Sequence, residues 1–326
     1  MLHYNREQLS AKKEDTPMKR VFIDGSAGTT GLRIRERLSA REDIELVTLD
    51  EESRKDPAAK KRMLDEGCDI AFLCLPDDAA REAVSLTENP DTVLLDTSTA
   101  HRTDPRFTYG FPELSAARRE AVVNAKRIAV PGCHASGFIA LVYPLVEAGL
   151  IAPDTRLVCC SLTGYSGGGK KMIAQYEADG PDPLLLAPRQ YGLTQEHKHL
   201  REMVHVTGLT AKPVFCPIVA DFYSGMEVTV PVFAEDLRGS VDDIRAAYAE
   251  KYRGPVVRYA TGSDEGGFLS AGALSGKDGM EIAVFGNSER VLLTARYDNL
   301  GKGASGAAVE CLNLVLGVNE TTGLEL

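Results

Sequence analysis

Pro131-Gly132-Cys133-His134-Ala135-Ser136-Gly137 runs directly into the apolar stretch Phe138 to Val146, an order that puts a cysteine in the first turn of a helix. Backbone N–H groups there lack intrahelical partners and the helix dipole is positive, so a negative sulfur is favoured. Sites of this kind lower a thiol pKa from about 8.5 to about 3.5–7.5. Cys133 is therefore read as a nucleophile at neutral pH; the alternative, a small inert residue closing a helix, fits poorly with the flanking glycines and with polar His134 and Ser136. A second chemical element lies near the start of the chain. Gly25-Ser26-Ala27-Gly28-Thr29-Thr30-Gly31 carries glycines in GxxGxxG spacing between an apolar strand pattern and a helical one. Such glycines permit a tight turn and a close approach of backbone to a pyrophosphate seated at the helix start. Gly25, Ala27, Gly28, Thr29, Thr30 and Gly31 are predicted to bind a dinucleotide. A reactive thiol paired with a nicotinamide points to chemistry through a thioester.

Such a thiol needs a proton acceptor. His197 and His199, in Gln195-Glu196-His197-Lys198-His199-Leu200-Arg201-Glu202, are the paired histidines of the chain. Either would take the thiol proton or protonate an aldehyde oxygen, because imidazole titrates near working pH; a solvated His/Lys surface cluster is the competing explanation. The i, i+2 spacing without further ligands argues against a metal. Asp96-Thr97-Ser98-Thr99-Ala100-His101-Arg102 follows a buried strand at a carboxyl edge, where ligands bind in open sheets, and Arg102 there suits a bidentate hold on phosphate. Ser166-Gly167-Gly168-Gly169-Lys170-Lys171 is open enough for backbone to approach a ligand, and equally reads as a turn with solvated lysines. Asp50 closes the second strand pattern, where an acid favours NAD by holding a ribose hydroxyl. Ser53, Arg54 and Lys55 follow at once and suit a 2′-phosphate, so these residues leave both dinucleotides open with a slight lean to NADP.

The elements that must position these groups are legible as periodicity. Val21 to Ile23 reads as a strand, followed by a helix through Leu32, Ile34 and Leu38. Ile44 to Leu49, Cys68 to Leu75, Thr92 to Asp96 and Ile128 to Val130 read as further strands, with a helix at Ala116 to Ala125. The βαβ alternation implies an α/β, doubly wound, Rossmann-like dinucleotide-binding domain with a parallel sheet. Beyond Cys133 the strands Arg156 to Leu162, Glu227 to Phe233, Glu281 to Phe285 and Arg290 to Tyr297, with a helix at Val241 to Tyr252, imply an α+β catalytic domain with a mixed sheet. Ala304 to Leu316 forms a last helix with Ala308, Val309, Leu312, Val315 and Leu316 on one face, expected to pack back on the first domain. The expected division is 18–132 with 300–326 for the dinucleotide, 133–299 for catalysis, substrate and oligomerisation, and 1–17 as a flexible extension with Met18 as an alternative start.

Composition bounds the function. Apolar residues at 44% and charged residues at 26% are ordinary for a soluble enzyme. A net charge of −10 argues against a nucleic-acid partner, and no apolar stretch is long enough for a membrane span. Seven cysteines and no secretory leader read as reduced thiols in a cytoplasmic protein.

Taken in order, GSAGTTG, CLPD (74–77), DTSTAHR, YGFPEL (109–114), PGCHASG, SGGGK, HKH and DNLGKGASGAA (298–308) resemble the N-acetyl-γ-glutamyl-phosphate reductases, most closely their second, shorter type, over residues 18 to about 318. That family usually has Asn-Pro-Gly-Cys-Tyr-Pro-Thr and His-Lys-His-x-Pro-Glu, where this chain has Val130 before Pro131, His134-Ala135-Ser136 after Cys133, and Arg201 for the proline. The resemblance implies an NADPH-dependent reduction of N-acetyl-γ-glutamyl phosphate to the semialdehyde in arginine biosynthesis, with phosphate released. It implies Cys133 as nucleophile and His197 as acid/base. His199, Tyr191 and Glu202 would shape the substrate site, with Arg102 on the substrate phosphate. Leu75, Pro76, Ser166, Gly167 and Asn299 would line the cofactor pocket, and the assembly would be a homodimer or homotetramer. Competing readings are an aspartate-semialdehyde dehydrogenase-like enzyme, a non-catalytic NADP-binding redox sensor and a cysteine hydrolase.

Overall fold

A computed structural model describes residues 18–326, so the expectation for residues 1–17 lies outside the described residues. The first sheet is built from β1 (Lys19–Asp24), β2 (Ile44–Val47), β3 (Ile70–Leu73), β4 (Val93–Asp96), β5 (Thr108–Tyr109) and β6 (Arg127–Ala129). All its neighbours pair in parallel, in the order β2-β1-β3-β4-β6-β5. The helices α1 (Thr29–Leu38), α2 (Pro57–Arg62), α3 (Asp77–Leu86) and α4 (Ala116–Val123) connect its strands. Side chains alternate across the sheet as the pleat demands: Val21, Ile23, Ile70, Phe72 and Leu95 pack with Ile34 and Leu38 of α1, whereas Phe22, Ala71, Leu73 and Leu94 pack with Leu64 and Ala83 on the opposite face. Leu32, read from the sequence as part of the apolar face of α1, is 46% exposed instead; the contact stripe runs through Ile34 and Leu38, four residues apart.

α5 (Cys133–Glu147) leads into the second sheet: β7 (Val158–Gly164), β8 (Arg189–Gln190), β9 (Val214–Ala220), β10 (Met226–Phe233), β11 (Val257–Tyr259), β12 (Met280–Gly286) and β13 (Arg290–Tyr297). The order is β11-β12-β13-β10-β7-β9-β8, with β7/β9 and β11/β12 parallel and the other pairs antiparallel. This is the mixed sheet expected. Strand β9 is absent from the sequence reading because Pro217 interrupts its pattern and a proline argues against a central strand. The carbonyl of Pro217 faces β8, where it accepts the Tyr191 N–H at 3.0 Å. Its missing N–H therefore falls on the side paired over only two residues and leaves β7 unaffected.

Three further helices, α6 (Gly169–Tyr176), α7 (His199–Thr207) and α8 (Val241–Lys251), follow. Residues of α5, α7 and α8 share one core with the inward side chains Val228, Val230, Leu293 and Ala295. α9 (Gly306–Leu316) returns to the first sheet, where Ala308, Val309 and Leu312 join the core containing Val21 and Ile34. The turn before it is pinned by Lys302, 1% exposed, whose ammonium bonds Glu113 at 2.6 Å and Glu310, above the Phe111 ring. Leu312→Ala is expected to lower stability by about 2–5 kcal/mol, visible as a depressed Tm with the secondary structure retained.

Candidate active site

The glycine turn does what its spacing suggests. Gly25 sits at φ +84°, and a Cβ there would run into the carbonyl of Cys74. At Gly31 a Cβ would lie 2.5 Å from the carbonyl oxygen of Gly25, so only glycine lets α1 start this close to the turn. Gly28 is the N-cap with no side-chain bond, and no acidic residue occupies the first turn. The leading N–H groups of α1 thus remain available to an anion.

These residues open onto a cleft of about 590 Å³ between the two sheets. Gly28, Thr29, Thr30, Gly31, Leu75, Pro76, Ser166, Gly167 and Asn299 all line it. Asn299 accepts the Gly225 N–H at 2.9 Å and donates to Ser166 Oγ at 3.0 Å, which fixes the wall around Gly167. A free helix start, a glycine cradle and an anchored amide fit a dinucleotide. Gly25 lies beneath this lining as the hinge of the turn, and Ala27 is exposed on its outer side. Arg54 is not among the lining residues: it is exposed and paired with Glu51, while Asp50 accepts the Ser53 N–H at 2.7 Å. Both candidates for reading the ribose are thus engaged within their own turn.

Cys133 also lines this cleft, as the first residue of α5, with partial exposure. Its thiol corrects the expectation of a lowered pKa. Burial pushes the thiol above its ordinary value, and this outweighs the Arg102 charge and the His134 N–H, both of which favour the thiolate. A helix start lowers a thiol pKa only as far as desolvation allows.

Arg102 is buried and well braced. Its Nε donates to the Val130 carbonyl at 2.9 Å, Nη2 to the Thr97 carbonyl at 2.9 Å, and Nη1 to Glu202 Oε1 at 2.8 Å. Two of its five N–H groups remain for a ligand. Glu202 also receives the Tyr109 hydroxyl at 2.9 Å and the Gly132 N–H at 3.2 Å on Oε2. The loop ahead of the nucleophile is thereby tied to this ion pair. Gly132 is required by crowding: a Cβ there would lie 2.5 Å from both Glu202 Oε1 and His199 Nε2 and would strike Arg102. Behind Arg102, Asp96 accepts the Ser98 N–H at 2.8 Å and contacts His101 Nδ1 at 2.6 Å, and His101 stacks on Phe107.

His197 and His199 are brought to the cleft with Tyr191. The HKH segment spans the start of α7, so one histidine precedes the helix and the other opens it. His197 Nδ1 accepts the His199 N–H at 3.3 Å, which assigns the proton of its neutral ring to Nε2. Burial lowers the pKa of both rings, helped by Lys198 at His197 and by Arg102 at His199. Nδ1 of His199 is buried without a hydrogen-bond partner. The sequence reading missed a third imidazole, His134, next to the thiol: its nitrogens lie 2.6 Å from Ser161 Oγ and 2.6 Å from Tyr191 Oη, and burial, with the His197 charge, lowers its pKa to about 3. Its adjacency to Cys133 was the available signal. Lys198, read as part of a solvated cluster, also lines the cleft.

A thiol, three neutral imidazoles, a buried guanidinium and a glycine-cradled helix start in one cleft define a dinucleotide-linked dehydrogenase of the acylating kind. Residues 13–122 match the family described as semialdehyde dehydrogenase, NAD binding domain, and residues 133–299 the family described as semialdehyde dehydrogenase, dimerisation domain. The chain is 43% identical to N-acetyl-gamma-glutamyl-phosphate reductase 2 of Nostoc sp., covering 94% of this chain and 99% of that one. It is 45% identical to N-acetyl-gamma-glutamyl-phosphate reductase of Brucella ovis, covering 91% and 99%. It belongs to the N-acetyl-γ-glutamyl-phosphate reductase family. Aspartate semialdehyde dehydrogenase II of Vibrio cholerae has a similar fold, with a TM-score of 0.71 at 17% identity over 93% of this chain and 99% of that one. The enzyme from Francisella tularensis gives 0.68 at 14% over 92% and 100%.

The buried imidazoles set a pH dependence. His134 titrates near 6.5 when unfolded and near 3 when folded, so the unfolded chain binds the extra proton between those values and stability falls as pH falls through that window. The His134 share is read as a difference: between pH 7 and pH 4 the Tm of His134→Gln is expected to fall less, or rise more, than that of the unaltered chain.

Proposed function

We propose that this chain is an NADPH-dependent acyl-phosphate reductase that converts N-acetyl-L-glutamyl 5-phosphate to N-acetyl-L-glutamate 5-semialdehyde and phosphate, a step of arginine biosynthesis. The observation that carries this reading is a single cleft lined by both Cys133 and the Gly28–Gly31 helix start. The names of the Nostoc and Brucella relatives supply the acyl group.

Because burial holds the thiol protonated, attack requires a base, and the neutral imidazoles beside it provide one. Cys133 sulfur bonds to the acyl carbon as the carbon–oxygen bond to phosphate breaks. The thiol proton passes to His197 and leaves on the phosphate, which the two free N–H groups of Arg102 and the Lys198 ammonium hold as it departs. N–H groups at the start of α5 stabilise the tetrahedral oxyanion. Gly28, Thr29, Thr30 and Gly31 would hold the pyrophosphate of a reduced dinucleotide and Ser166, Gly167 and Asn299 its nicotinamide, and that group would supply a hydride for the thioester carbon. The carbon–sulfur bond then breaks to free the aldehyde, and the sulfur regains a proton through His197, which takes up from solvent the one proton that the overall reaction consumes. Tyr191, His199 and Glu202 shape the pocket for the acyl chain.

The proposed domain division at 133 and 299, with α9 returned to the dinucleotide domain, is supported by the core shared by α9 and the first sheet. An assembly of two or four copies is supported by the matched dimerisation domain and by exposed Val214, Phe233 and Leu292 on strands of the second sheet. Seven free thiols support a cytoplasmic setting; among the described residues no helix is long and apolar enough to cross a membrane.

Cys133→Ser is expected to keep dinucleotide binding, followed by fluorescence titration, while turnover drops by about 10³-fold or more; full activity would eliminate the thioester route. Replacing His197 and His199 separately by Asn should cost more at position 197, and equal mild losses would overturn the acid/base assignment. Assayed in reverse with phosphate, N-acetylglutamate semialdehyde and NADP⁺ should outperform aspartate semialdehyde and NAD⁺.

A further inference from the structure

Tyr297, the last residue of β13, is fully buried with its hydroxyl inside the first turns of α5. The hydroxyl donates to the carbonyl of Cys133 at 2.6 Å and accepts the N–H of Gly137 at 3.0 Å. It therefore stands between the two groups that an i, i+4 helical bond would join. Gly137 makes this possible: a Cβ there would lie 2.7 Å from the Tyr297 oxygen and 2.7 Å from Val228 Cγ2.

The carbonyl of Cys133 and the N–H of His134 are two ends of one planar peptide unit, and that N–H favours the Cys133 thiolate. Fixing the plane at its oxygen fixes the direction of its N–H, and a hydrogen bond to the carbonyl polarises the N–H further. Resting on the reading of Cys133 as nucleophile, we propose that Tyr297 is a positioning residue whose hydroxyl, standing in for the Cys133–Gly137 helical bond, holds the Cys133–His134 peptide in the orientation the reacting sulfur needs. The same residue runs directly into Asp298 and Asn299. Asp298 accepts the Ser224 hydroxyl at 2.8 Å and the Leu300 N–H at 2.6 Å, and Asn299 braces Ser166 at the cofactor wall. One end of one strand thus registers the nucleophile's backbone against the surface expected to hold the nicotinamide. Burial raises the Tyr297 pKa well above its ordinary value, so the hydroxyl remains a donor throughout the working range.

Tyr297→Phe removes the hydroxyl and keeps the ring. The charged groups acting on the sulfur are unaltered by it: Arg102 and Lys198 favour the thiolate and Glu202 opposes it. The Tyr191 hydroxyl stays on His134. Peptide-level alkylation of Cys133 by iodoacetamide across pH 6–10 is expected to move its midpoint up by about half a unit or more, and kcat to fall about tenfold, the worth of one well-placed hydrogen bond. The KM for acyl phosphate and the Kd for dinucleotide should stay within about twofold. An unchanged midpoint and kcat in a folded Tyr297→Phe enzyme would overturn the proposal, as would a loss shared equally by kcat, KM and Tm, which marks a merely structural hydroxyl. Should that variant fold poorly, 3-fluorotyrosine placed at position 297 alone decides the same point: it keeps the hydroxyl and strengthens it as a donor to the Cys133 carbonyl, so the alkylation midpoint should move down, and an unmoved midpoint rejects the proposal. These results are separable from the nucleophile reading, because Cys133→Ser tests that reading on turnover alone.

Discussion

The site is organised around the buried ion pair between Arg102 and Glu202. Arg102 comes from the loop after β4 in the first sheet and Glu202 from α7 in the second domain, so one contact of 2.8 Å joins the two halves at the floor of the cleft. Taking two charges out of water is costly, and further hydrogen bonds to both partners offset that cost. Val130 and Thr97 carbonyls complete the guanidinium, and the Tyr109 hydroxyl and Gly132 N–H complete the carboxylate. That second N–H belongs to the residue preceding the nucleophile. The charge pair therefore sets where Cys133 begins its helix, and Gly132 is the residue that lets three side chains crowd against that point.

The same packing governs acidity. A helix start and a nearby arginine favour a thiolate, and the sequence alone argued for one. Burial opposes both and prevails in the free protein. The consequence is chemically coherent: the cleft holds a protonated thiol, a proton donor, together with imidazoles that burial keeps neutral, which are proton acceptors. In the proposed reaction the nucleophile then forms in concert with attack, and a thiol held protonated is slow to alkylate or oxidise, since reactivity follows thiolate content.

Legibility varied with the range of the interaction involved. Short apolar runs such as Val21–Ile23 and Arg290–Tyr297 announced their strands, because inward and outward positions alternate locally. GxxGxxG announced a turn whose φ and close contacts only glycine satisfies, and the structure places Gly25 and Gly31 in that situation. Strand β9 was hidden by Pro217, whose cost depends on which edge its missing donor faces. Arg54 was read as suited to a 2′-phosphate from its place after β2; in the free chain it pairs with Glu51, since an exposed long side chain takes the nearest charge. His134, Lys198 and Tyr297 gained meaning only from partners 27 to 164 residues away in sequence.

The linear order of residues, without a fold, determined the chemical inventory: a thiol at a helix start, a glycine cradle, paired imidazoles and an arginine after a buried strand. Each of these is a local statement, made by residue type, spacing and the few residues on either side. Tertiary structure alone decided which of them meet, which are charged and which side chains fix the backbone around the thiol. Those properties depend on desolvation and on contacts between segments far apart in the chain, and neither is a property of any one segment.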